Sequence, residues 1–247
     1  MFYALVFCIS FAGAFVSIVG GGASLLVVPA LVVLGLPIHS VVATNRVYVT
    51  VFLLAGLLNY LRKKVRLDFR VLSVFLVLRM VGGFIGSTLV VALDESVLTP
   101  LAGAVILAAA VAVALVEFLP PYKKLGRPSR RRLFAVALGM LVLGVYAGFV
   151  GGGVAVFARV LLVLVFGFTF LEAAAAEAVL GLGEGLAASA VFLAFGSVDF
   201  VLLAPMVVGG VLGALAGSSM AVRKGDRFIR RVMLVVVAVL VAQMLLL

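Results

Sequence analysis

Phe15-Val16-Ser17-Ile18-Val19-Gly20-Gly21-Gly22 returns 131 residues later as Tyr146-Ala147-Gly148-Phe149-Val150-Gly151-Gly152-Gly153. Each stretch closes a long apolar run with three glycines. Each is followed by a short apolar run, residues 23–35 and 154–167. A helix of about 13 residues spans about 20 Å at about 1.5 Å per residue, against about 30 Å for the hydrocarbon core of a bilayer. The pair therefore predicts two helices broken near mid-membrane, each at the turn of a re-entrant hairpin. Leu67-Asp68-Phe69 matches Val198-Asp199-Phe200, and Gly82-x-x-x-Gly86-Ser87 matches Gly213-x-x-x-Gly217-Ser218. Three landmarks in one order at one offset mark an internal repeat.

The composition around these runs belongs to a membrane. Of 247 residues, 66% are hydrophobic and 11% charged, where a soluble domain is nearer half apolar and a quarter charged. One cysteine, Cys8, excludes an intrachain disulfide and a Cys-cluster metal site. One histidine, His39, excludes His-rich metal chemistry, and its place beside Pro37 reads as an interfacial loop. The formal net charge is +10. Of the 19 basic residues, 16 gather in three short segments: Arg62 to Arg70, Lys123 to Arg132, and Arg223 to Arg231. Short basic loops between long apolar runs follow the positive-inside rule, so the charge predicts topology and no nucleic-acid partner.

The expected fold is an all-α polytopic membrane protein of two inverted repeats. The first covers residues 1–119, a basic cytoplasmic linker covers 120–133, and the second covers 134–247. Each repeat holds a glycine-turn hairpin and three spanning helices, with first-repeat spans near 40–61, 69–92 and 97–119. In the second repeat the hairpin arms are 134–150 and 154–167, followed by spans 170–195, 199–222 and 228–247. With the basic clusters cytoplasmic and Asp94-Glu95-Ser96 outside, the two hairpins enter from opposite sides. Both termini then face outward, and the N-terminal run, which has no basic residues ahead of it, reads as a retained segment of an inner-membrane protein.

Inverted repeats with interrupted helices point to secondary transport. A break at mid-membrane leaves N–H groups unpaired, and these carry the positive end of the helix dipole. The candidate site therefore comprises Gly20, Gly21, Gly22 and Ser24 at the first break and Gly151, Gly152 and Gly153 at the second. Ala23 and Val154 also open the short arms. Glycines at 82/86 and 213/217 read as close helix packing. Three arginines, Arg46, Arg79 and Arg159, lie inside apolar runs, where charge is costly and usually functional. Arg46 and Arg159 are candidates to bind an anion. Arg79 is the third, with a structural carboxylate partner as the alternative. Thr44 and Asn45 add hydrogen-bonding groups. Glu177 and Glu184, seven residues apart, share a helix face. They line a central cavity, with a Glu able to carry a proton, or they pair with arginines as interhelix glue. Glu172 and Glu117 read as interfacial. The chain has no P-loop, GxSxG or HExxH motif, so neither an enzyme nor a cofactor is expected.

Val19-Gly20-Gly21-Gly22-Ala23-Ser24 through Gly35-Leu36-Pro37, followed by Val42-Ala43-Thr44-Asn45, resembles the sulfite exporter TauE/SafE family. The pattern is a glycine-rich turn, a short apolar arm with Pro29, a Gly-Leu-Pro step and then Ala-Thr. The second half repeats it more loosely, so the resemblance covers nearly the whole chain. It departs from the family pattern at Asn45-Arg46, at Ala175-Ala176-Glu177 and at Arg159. The resemblance implies a permease of sulfur-containing anions such as sulfite, thiosulfate or organosulfonates. The expected partners are a small anionic substrate, with proton coupling left open, the lipid bilayer, and a homodimer as a further option. A passive anion channel and a non-transporting membrane scaffold are the alternative functions.

Overall fold

The computed structural model describes residues 2–22, 24–94, 96–98, 100–101, 104, 130–149, 151 and 153–235. Ala23, Glu95, Glu117, Val150, Gly152, most of the 97–119 span, the linker up to residue 129 and residues 236–247 lie outside them. Within the described residues the chain is helical between turns. The helices are α1 (Phe2–Val19), α2 (Ser24–Val33), α3 (Ile38–Arg62), α4 (Phe69–Ala92), α5 (Arg130–Phe149), α6 (Val154–Phe166), α7 (Phe170–Ala194) and α8 (Phe200–Lys224). Residues 226–235 are helical as well.

Six of these helices are long and apolar enough to cross a bilayer. The exceptions are α2, with 10 residues, and α6, with 13. At about 1.5 Å per residue they reach about 15 and 20 Å, short of a full crossing. Each follows a glycine run, so the order long, short, long, long appears on both sides of the linker. The exposed apolar side chains, among them Val74, Val77, Phe84, Val142 and Val208, suit a surface facing lipid.

Small residues fix the closest crossings. α4 packs on α5, and α1 on α8. A methyl group at Gly144 would stand 2.8 Å from the Arg79 carbonyl oxygen, and one at Gly82 would meet the Leu141 carbonyl. Gly209, Gly213 and Gly217 face the carbonyls of Phe7, Phe11 and Phe15 in the same way. Backbones approach this closely only where no Cβ intervenes, which is how apolar helices gain contact where lipid removes the hydrophobic drive. Gly148 lies against the Gly83 carbonyl and the Ser87 amide. Gly148→Leu is therefore expected to cost more than about 2 kcal/mol, as overpacking of a tight crossing does. The measurement is the thermal midpoint of the protein in detergent.

The aspartates of the repeated landmark cap helices. Asp199 Oδ1 accepts from the amides of Val201 and Leu202 at 2.9 and 3.0 Å, opening α8. Asp68 Oδ1 accepts from the Arg70 amide at 3.1 Å, opening α4. Each thus satisfies donors that a helix start leaves unpaired. Thr169 and Glu172 form a reciprocal capping box at the start of α7. Asp226 accepts from the Leu171 amide at 3.0 Å, and Phe75 meets Phe166 edge-on at 5.6 Å between ring centres. The starts of α4 and α7, the end of α6 and the segment after α8 therefore gather at one end of the bundle, where two of the basic clusters also lie.

Candidate functional site

The two glycine breaks meet inside the bundle. Gly21 faces Ala155 and Val156 of α6 across the break. Gly21, Gly22, Gly151 and Gly153 have φ of 89°, 86°, 76° and 78°. That left-handed region costs a side-chain-bearing residue roughly 1–2 kcal/mol, so the sharp reversal falls to glycine. Gly22 and Gly151 line a small cavity together with Ser24, Val154 and Ala155. Val154 and Ala155 open α6, so their N–H groups have no acceptor within the helix. The cavity offers about 30 Å³ to the centres of water-sized molecules. One water needs about 10–15 Å³ by that measure.

Five charged side chains are buried among the described residues: Arg46, Arg79, Arg159, Glu177 and Glu184, none more than 5% exposed. All but Arg79 line the cavity. Arg79 comes from α4 and reaches both acids of α7. Its Nη2 donates to Glu177 Oε1 at 3.1 Å, and its Nε donates to Glu184 Oε2. Seven residues make about two helical turns, so the two glutamates sit one above the other and a single guanidinium spans them.

Arg159 extends from α6 to the end of α1. Its Nη1 donates to the Val19 carbonyl at 2.6 Å, and its Nη2 donates to those of Ser17 at 2.9 Å and Ile18 at 3.2 Å. Arg46 extends from α3 to the end of α5, where Nη2 donates to the Ala147 carbonyl. A helix that stops inside a membrane leaves its last carbonyls unpaired, and they carry the negative end of the dipole. Each arginine therefore caps the broken helix of the opposite half of the chain. Gly151 makes room for this, since a methyl there would overlap the Arg46 guanidinium.

The caps leave polar atoms over. Arg46 Nε, Arg79 Nη1, Arg159 Nε, Asn45 Oδ1 and Glu177 Oε2 are buried with no hydrogen-bond partner among the described residues. Asn45 Nδ2 donates to Ser24 Oγ at 3.2 Å. Thr44 has another employment: its Oγ1 accepts from the Asp199 amide at 2.9 Å and so anchors the start of α8. Gly20 packs against Val232 and Met233, away from the cavity lining. Ser17, Gly181 and Leu53 line the cavity beside the expected residues. Ser17 carries a sequence signal, as a polar residue in the last turn of an apolar helix that ends in glycines.

A buried cluster with surplus donors, set where two helix breaks meet inside six membrane-length helices, has the parts of a membrane permease. The model of the family described as Sulfite exporter TauE/SafE matches residues 5–244. The chain belongs to the sulfite exporter TauE/SafE family. A probable membrane transporter protein of Haemophilus influenzae is 30% identical over 98% of this chain and 93% of its own length. The probable membrane transporter protein YfcA of Escherichia coli is 27% identical over 98% of this chain and 88% of its own. The probable membrane transporter protein YjnA of Bacillus subtilis is 26% identical over 93% and 94%. No solved structure matches. The TauE/SafE match and the six spans make this a multi-pass membrane protein of a transporter family, as the glycine-turn resemblance implied.

Proposed function

We propose that this chain is a secondary transporter of small sulfur-containing oxyanions, such as sulfite, thiosulfate or organosulfonates. It works by alternating access around the cavity between the two breaks. The observation that carries the reading is the charge of the cluster. Three buried guanidinium groups stand against two buried carboxylates, so the side chains of the cluster carry one positive charge in excess. An excess charge out of water calls for a counter-ion. The N-termini of α2 and α6 open at the cavity and add the positive ends of two helix dipoles. The free Nε donors of Arg46 and Arg159 are the groups an oxyanion satisfies.

In this reading residues 1–119 and 134–247 are inverted repeats joined by the basic linker 120–133, and the cavity lies on their pseudo-twofold axis. The basic clusters face the cytoplasm, the termini face outward, and the membrane is the inner one. Alternating access is a rocking of one half against the other, with the reciprocal arginine caps holding the breaks together in the occluded state. The cavity takes about two waters, so an anion widens it slightly on binding.

The test is uptake of labelled thiosulfate and sulfite into vesicles holding the purified protein. Saturable uptake is expected, falling at least about tenfold in a variant carrying both Arg46→Gln and Arg159→Gln, since each lost charged hydrogen bond is worth about 1.5–3 kcal/mol. Full transport by a properly folded double variant would overturn the site. Unsaturable conductance would make the protein a channel.

A further inference from the structure

We propose that Glu177 is a proton-binding site and that one proton crosses with each divalent anion. The inference rests on the anion-transport reading and adds to it a specific residue and a stoichiometry. Glu177 has one oxygen engaged and one free. Its Oε1 accepts from Arg79 Nη2 at 3.1 Å, whereas Oε2 is buried without a partner. The side chain lines the cavity with Arg46 and Arg159.

Hydrogen-bond accounting gives the first argument. The free groups at the cluster are the donors of Arg46 Nε, Arg159 Nε and Arg79 Nη1, and the acceptors of Glu177 Oε2 and Asn45 Oδ1. An oxyanion carries acceptors alone and answers the arginine donors. It then turns acceptor oxygens toward an ionised Glu177 Oε2, which has no hydrogen to give. A proton on Oε2 makes that oxygen a donor to the anion.

Charge accounting gives the second. The groups facing Glu177 are Arg79 from α4, Arg159 from α6 and Arg46 from α3, with Glu184 two turns along its own helix. The phenols of Tyr60 and Tyr146 stand beside Arg159 and Arg46, and a phenol, with an ordinary pKa of about 10, adds no charge to the sum near neutral pH. The side chains of the cluster sum to one positive charge. A divalent anion brings it to one negative charge, and a proton with that anion brings it to zero. A buried cluster crosses between its two open states most readily when its charges cancel. Glu184 is the weaker candidate: Arg79 holds one oxygen of each glutamate, but Glu177 Oε2, and no atom of Glu184, is among the buried atoms without a partner. The proton is taken from water on the side open to the cavity, where an O–H bond forms on Oε2. On the far side that bond breaks and the proton leaves with the anion.

The position is also asymmetric. At the repeat offset of 131, Glu177 corresponds to Arg46. A base in one half and an acid in the other give the cavity one wall for the anion and one for the proton.

The experiment uses thiosulfate, a strong-acid dianion that carries no proton of its own at neutral pH. Vesicles holding the full-length protein are loaded with a pH dye, and the membrane potential is clamped. Thiosulfate entering down its gradient should carry protons in with it, about one each. A pH gradient of about one unit should raise thiosulfate accumulation about tenfold, one decade of proton activity being equivalent to one decade of anion. Glu177→Gln keeps a carbonyl oxygen for Arg79 and places a fixed N–H donor where the proton would sit. It should exchange thiosulfate while accumulation no longer responds to the pH gradient. Should that variant fail to fold, calorimetry of the wild-type protein in buffers of different ionisation enthalpy should show about one proton taken up per thiosulfate bound. Wild-type transport without proton movement, or a Glu177→Gln protein that still responds to the gradient, overturns the inference and leaves anion transport standing. Absence of thiosulfate, sulfite and sulfonate transport at every pH overturns both.

Discussion

Arg79→Met is expected to destabilise the protein by about 3–5 kcal/mol, the cost of leaving a buried charge without its partner. Arg79 is fully buried and holds Glu177 and Glu184 at once. Methionine fills much of the same space without a donor or a charge, leaving two carboxylates side by side in a bilayer. At about 2–4 °C per kcal/mol for a chain of this size, the thermal midpoint in detergent should fall by roughly 10 °C. Adding Glu177→Gln and Glu184→Gln to Arg79→Met should recover most of that loss, because the repulsion disappears with the charges. A single variant that melts with the wild type would mean that the triad does not hold α4 to α7.

Arg159→Met should produce the other large effect, with both a structural and a functional component. The guanidinium serves three carbonyls at the end of α1, those of Ser17, Ile18 and Val19. The Ser17 carbonyl keeps the Gly21 amide at 2.9 Å and the Ile18 carbonyl keeps the Tyr60 hydroxyl at 3.0 Å, so among the described residues the substitution leaves the Val19 carbonyl without a donor, at about 1–3 kcal/mol for a buried unsatisfied acceptor. The expected loss of stability is about 2–3 kcal/mol, the scale of one orphaned buried acceptor together with the lost charged hydrogen bonds. In the proposed site the substitution also removes one of the two arginines whose free Nε faces an anion. Thiosulfate concentrations that raise the wild-type midpoint should then leave that of the variant unmoved, since ligand stabilisation follows occupancy. Arg159→Lys keeps the charge and replaces a planar fork with a point donor. It should retain anion-induced stabilisation while losing part of the stability. A lysine variant as impaired in both respects as the methionine variant would show that the fork geometry, rather than the charge, is what the site requires.

The helical fold was legible because membrane helices announce themselves by length and composition. The breaks were legible because three glycines close a long apolar run and a run too short to cross follows. α2 and α6 end within two residues of the short runs read from the sequence. Asp68 and Asp199 stood out as repeat landmarks, and their capping role follows from the hydrogen bonds. The arginines were harder to place. Three of them lay in apolar stretches, and nothing in the spacing tells which helix each will meet. Glu177 and Glu184 shared a face at a spacing of seven, but their joint partner depends on α4 packing against α7. The glycine runs point first to the N–H groups that begin the short helices. The carbonyls that end α1 and α5 are orphaned by the same glycines, and Arg46 and Arg159 answer those. Thr44 illustrates the converse, since a polar residue beside a site can serve a neighbouring helix start instead.

The crossed caps bear on how such a chain can be divided. Arg46 closes α5, in the second half of the chain, and Arg159 closes α1, in the first. Their counterparts at the repeat offset are Glu177 and Val28, neither of which can cap a carbonyl. Two copies of the first half would bury only arginines, Arg46 and Arg79 from each, and two copies of the second would set Glu177 and Glu184 of each against a lone Arg159 from each. The halves have become complementary rather than interchangeable. A chain severed at the linker should therefore assemble only as one of each, and neither fragment should persist when made alone.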